Sequence, residues 1–483
     1  MTNVRVNDKA FGGVQFGRLS IEQCEKIHHA SLEILARTGV RLYEPEAVEL
    51  LRKAGAFVSE GNRVRVPAGL VEKAFSTVPK GITLYDRNGN PAVRLEGYRC
   101  SYGTGSDCLF IRDHRTGERR DPTLRDVIEA TTVCDALPNV NFVMSMFTPS
   151  DVPQHVFDRY VMQEMLDHTT KPIIFVNNDF SGCPDAIEMA EAVVGGAEVL
   201  RQRPLVACYI NVTSALRHNA EAVQKLLYLA GKGLPALYIP VVTGGIGGPI
   251  TPAGSQALAG AAVLVGLVLS QLKREGAPFI MPGFAGDALD MRTMVSPYCA
   301  PETKGLAHEV AHYYRLPMFG EGGMSESKLP DQQAAAEAAL TLLVASLGGV
   351  NLIHDMGYLE SGLCGSLVQL AMCNELVGWI EHFISAIEVN DETLALDLID
   401  EIGPDGDFLS TEHTRNHYRE HWYPDLFDRD VYANWLEAGG KSLAERAAER
   451  IERILAEHVP DPLPDGIRQE LKAIVRRAQI HVR

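Results

Sequence analysis

Eight short apolar runs, each followed by a helical segment, constrain the fold of this chain more than any other feature. The runs are rich in β-forming residues and read YRCSYGTG, NFVMSMFTP, PIIFVNN, LVACYINVTS, PALYIPVVTGG, FIMPGFAGD, LPMFGEGG and NLIHDMG. Strands that alternate with helices pair in parallel, and near-continuous apolar strands are covered on both faces. Eight such units predict a closed (β/α)8 TIM barrel over residues 98–388. The alternative is an open doubly wound sheet, although no dinucleotide-binding fingerprint accompanies it.

The segments on either side of the predicted barrel have a different pattern. Residues 1–97 predict helices, in IEQCEKIHHASLEILARTG and EPEAVELLRKAG, and then a hairpin with its turn at Asn88-Gly89. We expect this segment to pack on the barrel. Residues 389–483 are polar and helical, with breaks at glycine and proline, and predict a C-terminal helical extension. We expect the extension to wrap the barrel or to join a partner subunit in a homo-oligomer.

Charge and composition argue against two classes of partner. The net charge is −17, and the 45 Lys and Arg residues form no stripe, so nucleic acid and anionic membranes would be repelled. The most apolar stretch, Ala257–Ser270, is shorter than the ~20 residues that cross a bilayer and predicts a buried helix. The first residues lack a signal-peptide pattern, and the nine cysteines include no CxxC pair. We therefore expect reduced thiols and a cytoplasmic protein.

In a (β/α)8 barrel the active site lies at the carboxyl ends of the strands. The residues at these ends are mostly aromatic and neutral polar, without a cluster of Lys or Arg to hold a phosphate. Aromatic faces attract quaternary ammonium groups, so the set predicts a ligand with a diffuse positive charge. The candidates are Tyr102, Phe147, Asn211, Phe319, Glu321, His354 and Tyr358, with Phe284, Asp287 and Asp355 near them. We expect His354 to donate a hydrogen bond to a substrate carboxylate or carbonyl group.

The segment HEVAH at residues 308–312 matches the HExxH pattern of zinc proteases, and a zinc-dependent hydrolase is therefore an alternative function. Helical spacing places Val310 and Leu316 on one side of the helix, and His308 and His312 on roughly the opposite side. On an outer barrel helix that side faces solvent or a neighbouring subunit. Zinc would lack the cleft and the third ligand that it needs there, so we predict no metal site.

Several segments resemble the trimethylamine methyltransferase family. They are GEGGMSESKLPDQQA and NLIHDMGYLESGL within residues 320–363, YGTGSD at 102–107, TPAGSQALAGA at 251–261 and HYREHWYPDLFDR at 417–429. The resemblance implies a barrel whose mouth docks a cognate corrinoid protein and transfer of a methyl group from an amine to its Co(I). Founding members carry pyrrolysine, whose position we expect between residues 321 and 328, whereas this chain has only the twenty ordinary residues. Relatives without pyrrolysine demethylate glycine betaine and similar quaternary amines.

The expected function is therefore transfer of a methyl group from a small quaternary or tertiary amine to a separate corrinoid protein. Four aromatic residues would surround the ammonium group: Tyr102, Phe147, Phe319 and Tyr358. Glu321 would balance its charge, and Asn211 and His354 would hold the far end. DHRTG at residues 113–117 is similar to the DxHxxG pattern of corrinoid-binding modules but lacks one spacer residue, so we expect no corrinoid on this chain. A barrel that captures betaine without chemistry is a further alternative.

Overall fold

A barrel of parallel strands is the centre of the computed structural model, which describes residues 16–283 and 288–481. In chain order its strands are β1 (Tyr102–Thr104), β2 (142–143), β3 (Ile173–Val176), β4 (Val206–Val212), β5 (Ala236–Pro240), β6 (Phe279–Pro282), β7 (Met318–Glu321) and β8 (Leu352–Met356). Seven of them form one sheet in the order β1-β8-β7-β6-β5-β4-β3, and every neighbouring pair is parallel. The eighth, β2, is a two-residue segment.

The short segment β2 closes the sheet into a ring. Phe142 forms a parallel bridge with Gly103 of β1, and Val143 forms one with Ile173 of β3. These bridges join the two edges of the seven-stranded sheet. The predicted (β/α)8 barrel is therefore confirmed, and the doubly wound alternative, which requires an open sheet, is excluded.

A helix follows each strand and packs on the outside of the barrel. In the order of the strands, the helices are Leu124–Ala136, Phe157–His168, Gly182–Val194, Ala220–Lys232, Pro252–Lys273, Pro301–Tyr314, Gln332–Leu347 and Leu367–Ile384, with a short additional helix at Ala197–Gln202. Both faces of each strand are thus covered, as the continuous apolar runs predict.

The N-terminal end of the barrel is filled by the predicted hairpin around Asn88-Gly89. Its strands, Ile82–Tyr85 and Pro91–Leu95, pair antiparallel and extend the apolar cluster inside the barrel. The backbone N–H of Tyr85 donates to the carbonyl of Pro204, just before β4. The hairpin therefore forms a floor, and only the opposite end of the barrel remains open for a ligand.

The helix Pro252–Lys273 contains the apolar stretch noted in the sequence. It is the one helix in the described part of the chain that is long and apolar enough to cross a membrane, and 83% of its most apolar window is buried. It packs against the N-terminal helix Ile21–Arg37, where Gly260 permits close approach because an added Cβ would lie 2.6 Å from the hydroxyl oxygen of Ser31. The prediction of a buried helix is confirmed.

The remaining elements lie on the barrel's outside and around its mouth. The N-terminal segment adds helices Pro45–Lys53 and Ala68–Thr77 and strands Val40–Leu42, Phe57–Ser59 and Arg63–Arg65, which form a sheet with Arg217–His218. A second small sheet at the mouth contains Phe110–Arg112, Arg119–Arg120, Tyr358–Leu359 and Cys364–Gly365.

The C-terminal segment divides into a loosely packed part and a well-packed part. Helices Leu443–Glu457 and Asp465–His481 pack on outer helices of the barrel. In the sequence between the last barrel helix and these two helices lie four short helices that contain no buried residue: Asp391–Leu394, Leu396–Ile402, Glu412–His417 and Tyr432–Glu437. The division of the chain at residues 97 and 388 stays a prediction.

Candidate functional site

The site is built on the carboxyl ends of β7 and β8, which are hydrogen-bonded neighbours. Glu321 and His354 are direct partners in the register, as are Phe319 and Leu352 two residues earlier. Because side chains on one face of a strand recur every second residue, all four face the barrel interior. Phe319 and Leu352 belong to the apolar cluster inside the barrel. Glu321 and His354 therefore lie on top of the barrel core.

His354 is held as a neutral imidazole in one orientation. Its Nδ1 lies 2.7 Å from the carbonyl oxygen of Gly320, and burial lowers the pKa of the ring to about 3. A carbonyl oxygen can only accept, so Nδ1 carries the proton and Nε2 is left as an acceptor. The predicted role of His354 as a donor to a substrate carboxylate disagrees with this geometry, because the one N–H of the ring is already used.

Asp355 follows His354 and turns its carboxyl group into the same space. Its φ is +82°, an uncommon value outside glycine, and the pairing of β8 with β1 shifts register between Ile353 and Met356. Oδ2 lies 3.3 Å from Nε2 of His354 but makes no hydrogen bond to a described residue. Burial, and then the charge of Glu321, raise the pKa of Asp355 well above its ordinary value.

Lys304 brings a positive charge to the cluster. It comes from the first turn of helix Pro301–Tyr314, and its ammonium group forms an ion pair with Glu321. The two side chains are only 2% and 4% exposed, and Nζ lies 5.4 Å from the centre of the Tyr298 ring. Lys304 could not be predicted from the sequence, because a lysine on an outer helix is usually solvated.

Aromatic rings enclose this charged cluster. Phe319 stacks on His354 with ring centres 3.8 Å apart, and Tyr209 meets Phe319 edge-on at 5.5 Å. The Tyr358 hydroxyl donates to the carbonyl of Ser106. The nearby carboxylates Glu321 and Asp355, after burial, help raise the pKa of Tyr209, so this ring lies within their electrostatic reach. The arrangement suits a cation that presents apolar groups.

A cavity of about 470 Å³ opens beside this cluster at the ends of β3 and β4. Tyr209 lines both the cavity and the aromatic cluster. Asn211, one of the predicted residues, lies on the cavity wall and is exposed to it. Lys225, which also lines the cavity, donates to the carbonyl of Asn177 at 2.6 Å. The cavity therefore offers polar groups, and Tyr209 connects it to the aromatic cluster.

The structure does not bring all predicted residues together. The Tyr102 hydroxyl bonds to the Ser346 hydroxyl at 2.9 Å, so this ring faces the outer helix Gln332–Leu347. Phe147 is fully buried beneath the mouth sheet, where an added Cβ on Gly365 would lie 2.6 Å from its ring. Phe319, Glu321, His354 and Tyr358 lie in the cluster, and Asn211 lines the adjacent cavity. Phe284 and Asp287 lie outside the described residues.

The block SESK of residues 325–328 organises the loops of the mouth. One carboxylate oxygen of Glu326 accepts from the backbone N–H of Cys299 at 3.0 Å, and the other accepts from the Ser361 hydroxyl. Ser325 donates to Glu337 at 2.7 Å. These contacts tie the loops after β6, β7 and β8 together and give the block a structural function.

One group of side chains in the described part of the chain could hold a metal ion. Ligand atoms of Glu321, His354 and Asp355 all lie within 4.8 Å of one another. The Nδ1 bond of His354 is the kind of contact that orients a histidine ligand. Lys304, however, already places a positive charge against Glu321. A divalent ion here would be repelled by this ammonium group at short range.

The HExxH segment is occupied by structural contacts. The prediction that His308 faces outward is wrong: its side chain is buried beside Gly283 and Gly348. His312 contacts the carbonyl of Gly348 at 2.8 Å, and Glu309 accepts from backbone N–H groups at Arg18 and Leu19. Within the described residues these side chains do not form a group of three metal ligands. The zinc hydrolase alternative is not favoured.

The segment similar to a corrinoid motif is also structural. Asp113 accepts from the backbone N–H of Arg115 at 2.8 Å and pairs with Arg120, as an acidic residue does in a hairpin turn. The imidazole of His114 contacts Glu452 at 2.6 Å and is nearly fully buried. Both side chains are therefore engaged in holding the hairpin Phe110–Arg120 against the C-terminal helices.

Comparison with known proteins agrees with the resemblance seen in the sequence. The family model described as trimethylamine methyltransferase (MTTB) matches residues 12–482. The trimethylamine methyltransferase MttB of Desulfitobacterium hafniense strain DCB-2 is 34% identical over 472 residues, with 97% of this chain and 95% of the relative covered. The glycine betaine methyltransferase of Desulfitobacterium hafniense strain Y51 is 30% identical over 469 residues, covering 95% and 97%.

Among solved structures, the monomethylamine methyltransferase of Methanosarcina barkeri aligns with a TM-score of 0.49 and 10% identity, covering 92% of this chain and 89% of that one. The family model extends over nearly the whole chain, and two relatives match almost end to end. The chain therefore belongs to the trimethylamine methyltransferase family.

Proposed function

We propose that this protein transfers a methyl group from a small quaternary amine, betaine-like in shape, to the Co(I) of a separate corrinoid protein. The observation that carries the proposal is the buried cluster of aromatic rings and carboxyl groups at the open end of the barrel. Such a cluster binds a cation better than it binds an anion, and its aromatic faces suit a cation that presents methyl groups instead of N–H groups. Family membership supplies the reaction class.

The chemistry of the leaving group favours a quaternary substrate. When the C–N bond of a quaternary ammonium breaks, the electron pair stays on nitrogen and a neutral tertiary amine leaves, so no proton is needed. A free tertiary amine would need to be protonated or bonded to an electrophile first. A reduced corrinoid supplies the cobalt nucleophile that accepts the methyl group. The residues of this chain then have to orient the C–N bond toward the mouth and exclude water.

Each residue of the cluster has a proposed role. Phe319, Tyr209 and Tyr358 pack against the methyl groups, and Glu321, through its ion pair with Lys304, keeps the floor of the site polar. His354 is a positioning residue, since its ring is fixed by Gly320 and stacked on Phe319. Asn211 and Lys225 hold the far, carboxylate end of the substrate in the adjacent cavity.

The protein partner, the cellular location and the oligomeric state are part of the same proposal. The corrinoid protein docks at the barrel mouth, and this chain binds no corrinoid of its own because Asp113 and His114 are engaged in structural contacts. The pyrrolysine-equivalent position is proposed to lie within residues 321–328, which start at the cluster. We propose a cytoplasmic location, consistent with nine cysteines that all remain thiols. Exposed apolar side chains at Ile387 and Leu409 are proposed contacts of a homo-oligomer.

A methyl-transfer screen tests the proposal. The protein is incubated with photoreduced cobalamin or with corrinoid proteins encoded beside its gene, and with glycine betaine, choline, carnitine, proline betaine and trimethylamine in turn. We expect methylation of the acceptor with at least one quaternary amine and little with trimethylamine. The variant Phe319→Ala should lose activity, because it removes one of the rings proposed to pack against the methyl groups. Tight betaine binding without methyl transfer to any acceptor would favour the non-catalytic binding barrel instead.

A further inference from the structure

With Asp355 ionised, the charges of the cluster do not balance when the site is empty. The carboxylate of Glu321 is paired with the ammonium group of Lys304, and the imidazole of His354 is neutral. Asp355 is 1% exposed, and its Oδ2 has no hydrogen-bond partner among the described residues. Even with a hydrogen bond from Tyr298, a second carboxylate at this depth is unfavourable, so the carboxyl group either keeps its proton or requires a cation.

The backbone is shaped to hold Asp355 in this position. A non-glycine residue with φ of +82° is strained and persists only where its surroundings fix it, and such residues concentrate at functional sites. Gly105 allows the approach, because an added Cβ there would lie 2.3 Å from Oδ1 of Asp355 and from the Tyr358 hydroxyl. These two features aim the carboxyl group into the cluster and away from solvent.

We propose that Asp355 is the counter-ion of the substrate's ammonium group: its carboxyl group holds a proton while the site is empty and releases that proton to solvent when a quaternary cation binds. The exchange balances, since one positive charge enters the site and one leaves it. This proposal rests on the proposed function and names Asp355 as the residue that makes the site specific for cations.

The groups that face Asp355 come from every element packed around it. They are His354 and Tyr358 on either side of it in sequence, Glu321 from β7, Lys304 and Tyr298 from the helix Pro301–Tyr314 and the loop before it, Tyr209 from β4, and Cys108 with the neighbouring Asp107 from the loop after β1. Burial raises the pKa of the Asp355 carboxyl group, the nearby carboxylate of Glu321 raises it further, and Tyr298 and Lys304 oppose this. A quaternary cation adds a positive charge and lowers the pKa again.

Charge arithmetic favours a monovalent organic cation over a metal ion in this position. With Glu321 and Asp355 ionised and Lys304 protonated, the cluster carries one net negative charge, which one quaternary ammonium neutralises. A divalent ion bound to Glu321, His354 and Asp355 would leave a net positive charge beside Lys304 in a buried site. The metal-bound arrangement is therefore an outcome that the test must distinguish.

Isothermal titration calorimetry on the full-length protein, without a corrinoid acceptor, tests the proposal. Glycine betaine is compared with 3,3-dimethylbutyrate, its uncharged-headgroup isostere, in buffers of different ionisation enthalpy. We expect release of about one proton per site for betaine and none for the isostere. Betaine affinity should rise by up to about tenfold per pH unit between pH 6 and 8. If the screen identifies another quaternary amine as substrate, that amine and its tert-butyl isostere are used.

Variants identify the group that titrates. Asp355→Asn should abolish proton release and weaken betaine binding by about 10- to 100-fold, since an opposite charge at close range is worth one to a few pKa units. Its affinity for the isostere should stay within about threefold of the wild type. Asp167→Asn, on the outer helix Phe157–His168 and far from the mouth, should behave like the wild type. Circular dichroism confirms that each variant is folded.

Three results would overturn the assignment. Proton release that persists in Asp355→Asn would place the titrating group elsewhere. Betaine binding without proton release in the wild type would mean that Asp355 is already ionised or remains protonated. Betaine binding that is lost with a chelator and restored by zinc would show a metal at the cluster. Methyl transfer can remain intact in all three cases, so failure of this inference is distinct from failure of the proposed function.

Discussion

The buried ion pair between Lys304 and Glu321 offers the sharpest test of the electrostatics of the site. The two side chains are 2% and 4% exposed, so water cannot replace a missing partner. Removal of one member of such a pair leaves an uncompensated buried charge and costs about 3–5 kcal/mol. We therefore expect Lys304→Met, which keeps most of the side-chain volume, to lower the free energy of unfolding by about 4 kcal/mol.

The double variant Lys304→Met, Glu321→Met separates charge from packing. Replacement of a complete buried pair by apolar residues is often neutral, so the double variant should recover most of the loss. The matched control is the exposed pair of Arg37 and Glu33, whose side chains are 77% and 61% exposed. Arg37→Met should leave stability unchanged within error, because exposed pairs contribute little.

Urea denaturation followed by far-UV circular dichroism measures these differences, with the first transition analysed if the chain unfolds in steps. The reasoning predicts a large single-variant loss and a double variant close to the wild type. A loss below about 1 kcal/mol for Lys304→Met, as for an exposed pair, would refute it. The charge balance on which the role of Asp355 depends would then fail as well.

Three further predictions follow from the same geometry. Burial lowers the pKa of His218 to about 4 and of His308 and His354 to about 3, so below pH 6.5 the unfolded chain binds protons that the native protein does not. The free energy of unfolding should therefore fall by up to about 1.4 kcal/mol per histidine per pH unit as the pH drops toward 4. In thermal melts, His308→Leu should make stability depend less steeply on pH in this range. An unchanged slope would contradict the prediction. Gly105→Ala should displace Asp355 and weaken betaine binding at least about tenfold. The control Gly69→Ala, with nothing within 4 Å of its added Cβ, should leave binding unchanged. Equal betaine affinities of the two variants would contradict the close packing at Gly105. Purified protein should contain well under one zinc per chain by elemental analysis, and a stoichiometric zinc lost in Glu321→Gln would contradict this.

Features that depend on periodicity could be predicted from the sequence. Continuous apolar runs such as PIIFVNN mark strands covered on both sides, and eight of them imply a closed barrel. The Asn88-Gly89 turn and the buried helix Pro252–Lys273 follow from equally local signals. Glu321 and His354 could be placed at strand ends for the same reason, since a strand end is visible as the point where the apolar run stops.

Features that depend on side-chain direction could not be predicted in this way. Tyr102 and Phe319 both lie in strands, but Tyr102 faces the helices and Phe319 the interior, and an apolar run gives no signal that distinguishes the two faces. Large apolar residues alone predict an outward-facing His308, but the buried side of its helix also contains Ala307, Ala311 and Lys304.

The direction of Asp355 has a similar explanation. Its positive φ breaks the two-residue alternation of β8 and brings two successive side chains, His354 and Asp355, to the same cluster. Local sequence contained one indication, the Asp-Met-Gly sequence at the end of the strand. Gly105, which permits the close approach, directly follows β1 and is about 250 residues away in sequence, and only the closed ring brings the two together.

The hairpin Ile82–Leu95 has a kinetic consequence under the proposed function. Because it blocks the lower end of the barrel, the small amine and the much larger corrinoid protein use one entrance. The amine has to arrive before the protein partner covers that entrance, and the demethylated amine can depart only after the partner leaves. Turnover should then follow a compulsory order of binding and release. Excess corrinoid protein should inhibit, because it covers the entrance either before the amine has bound or before the demethylated amine has left.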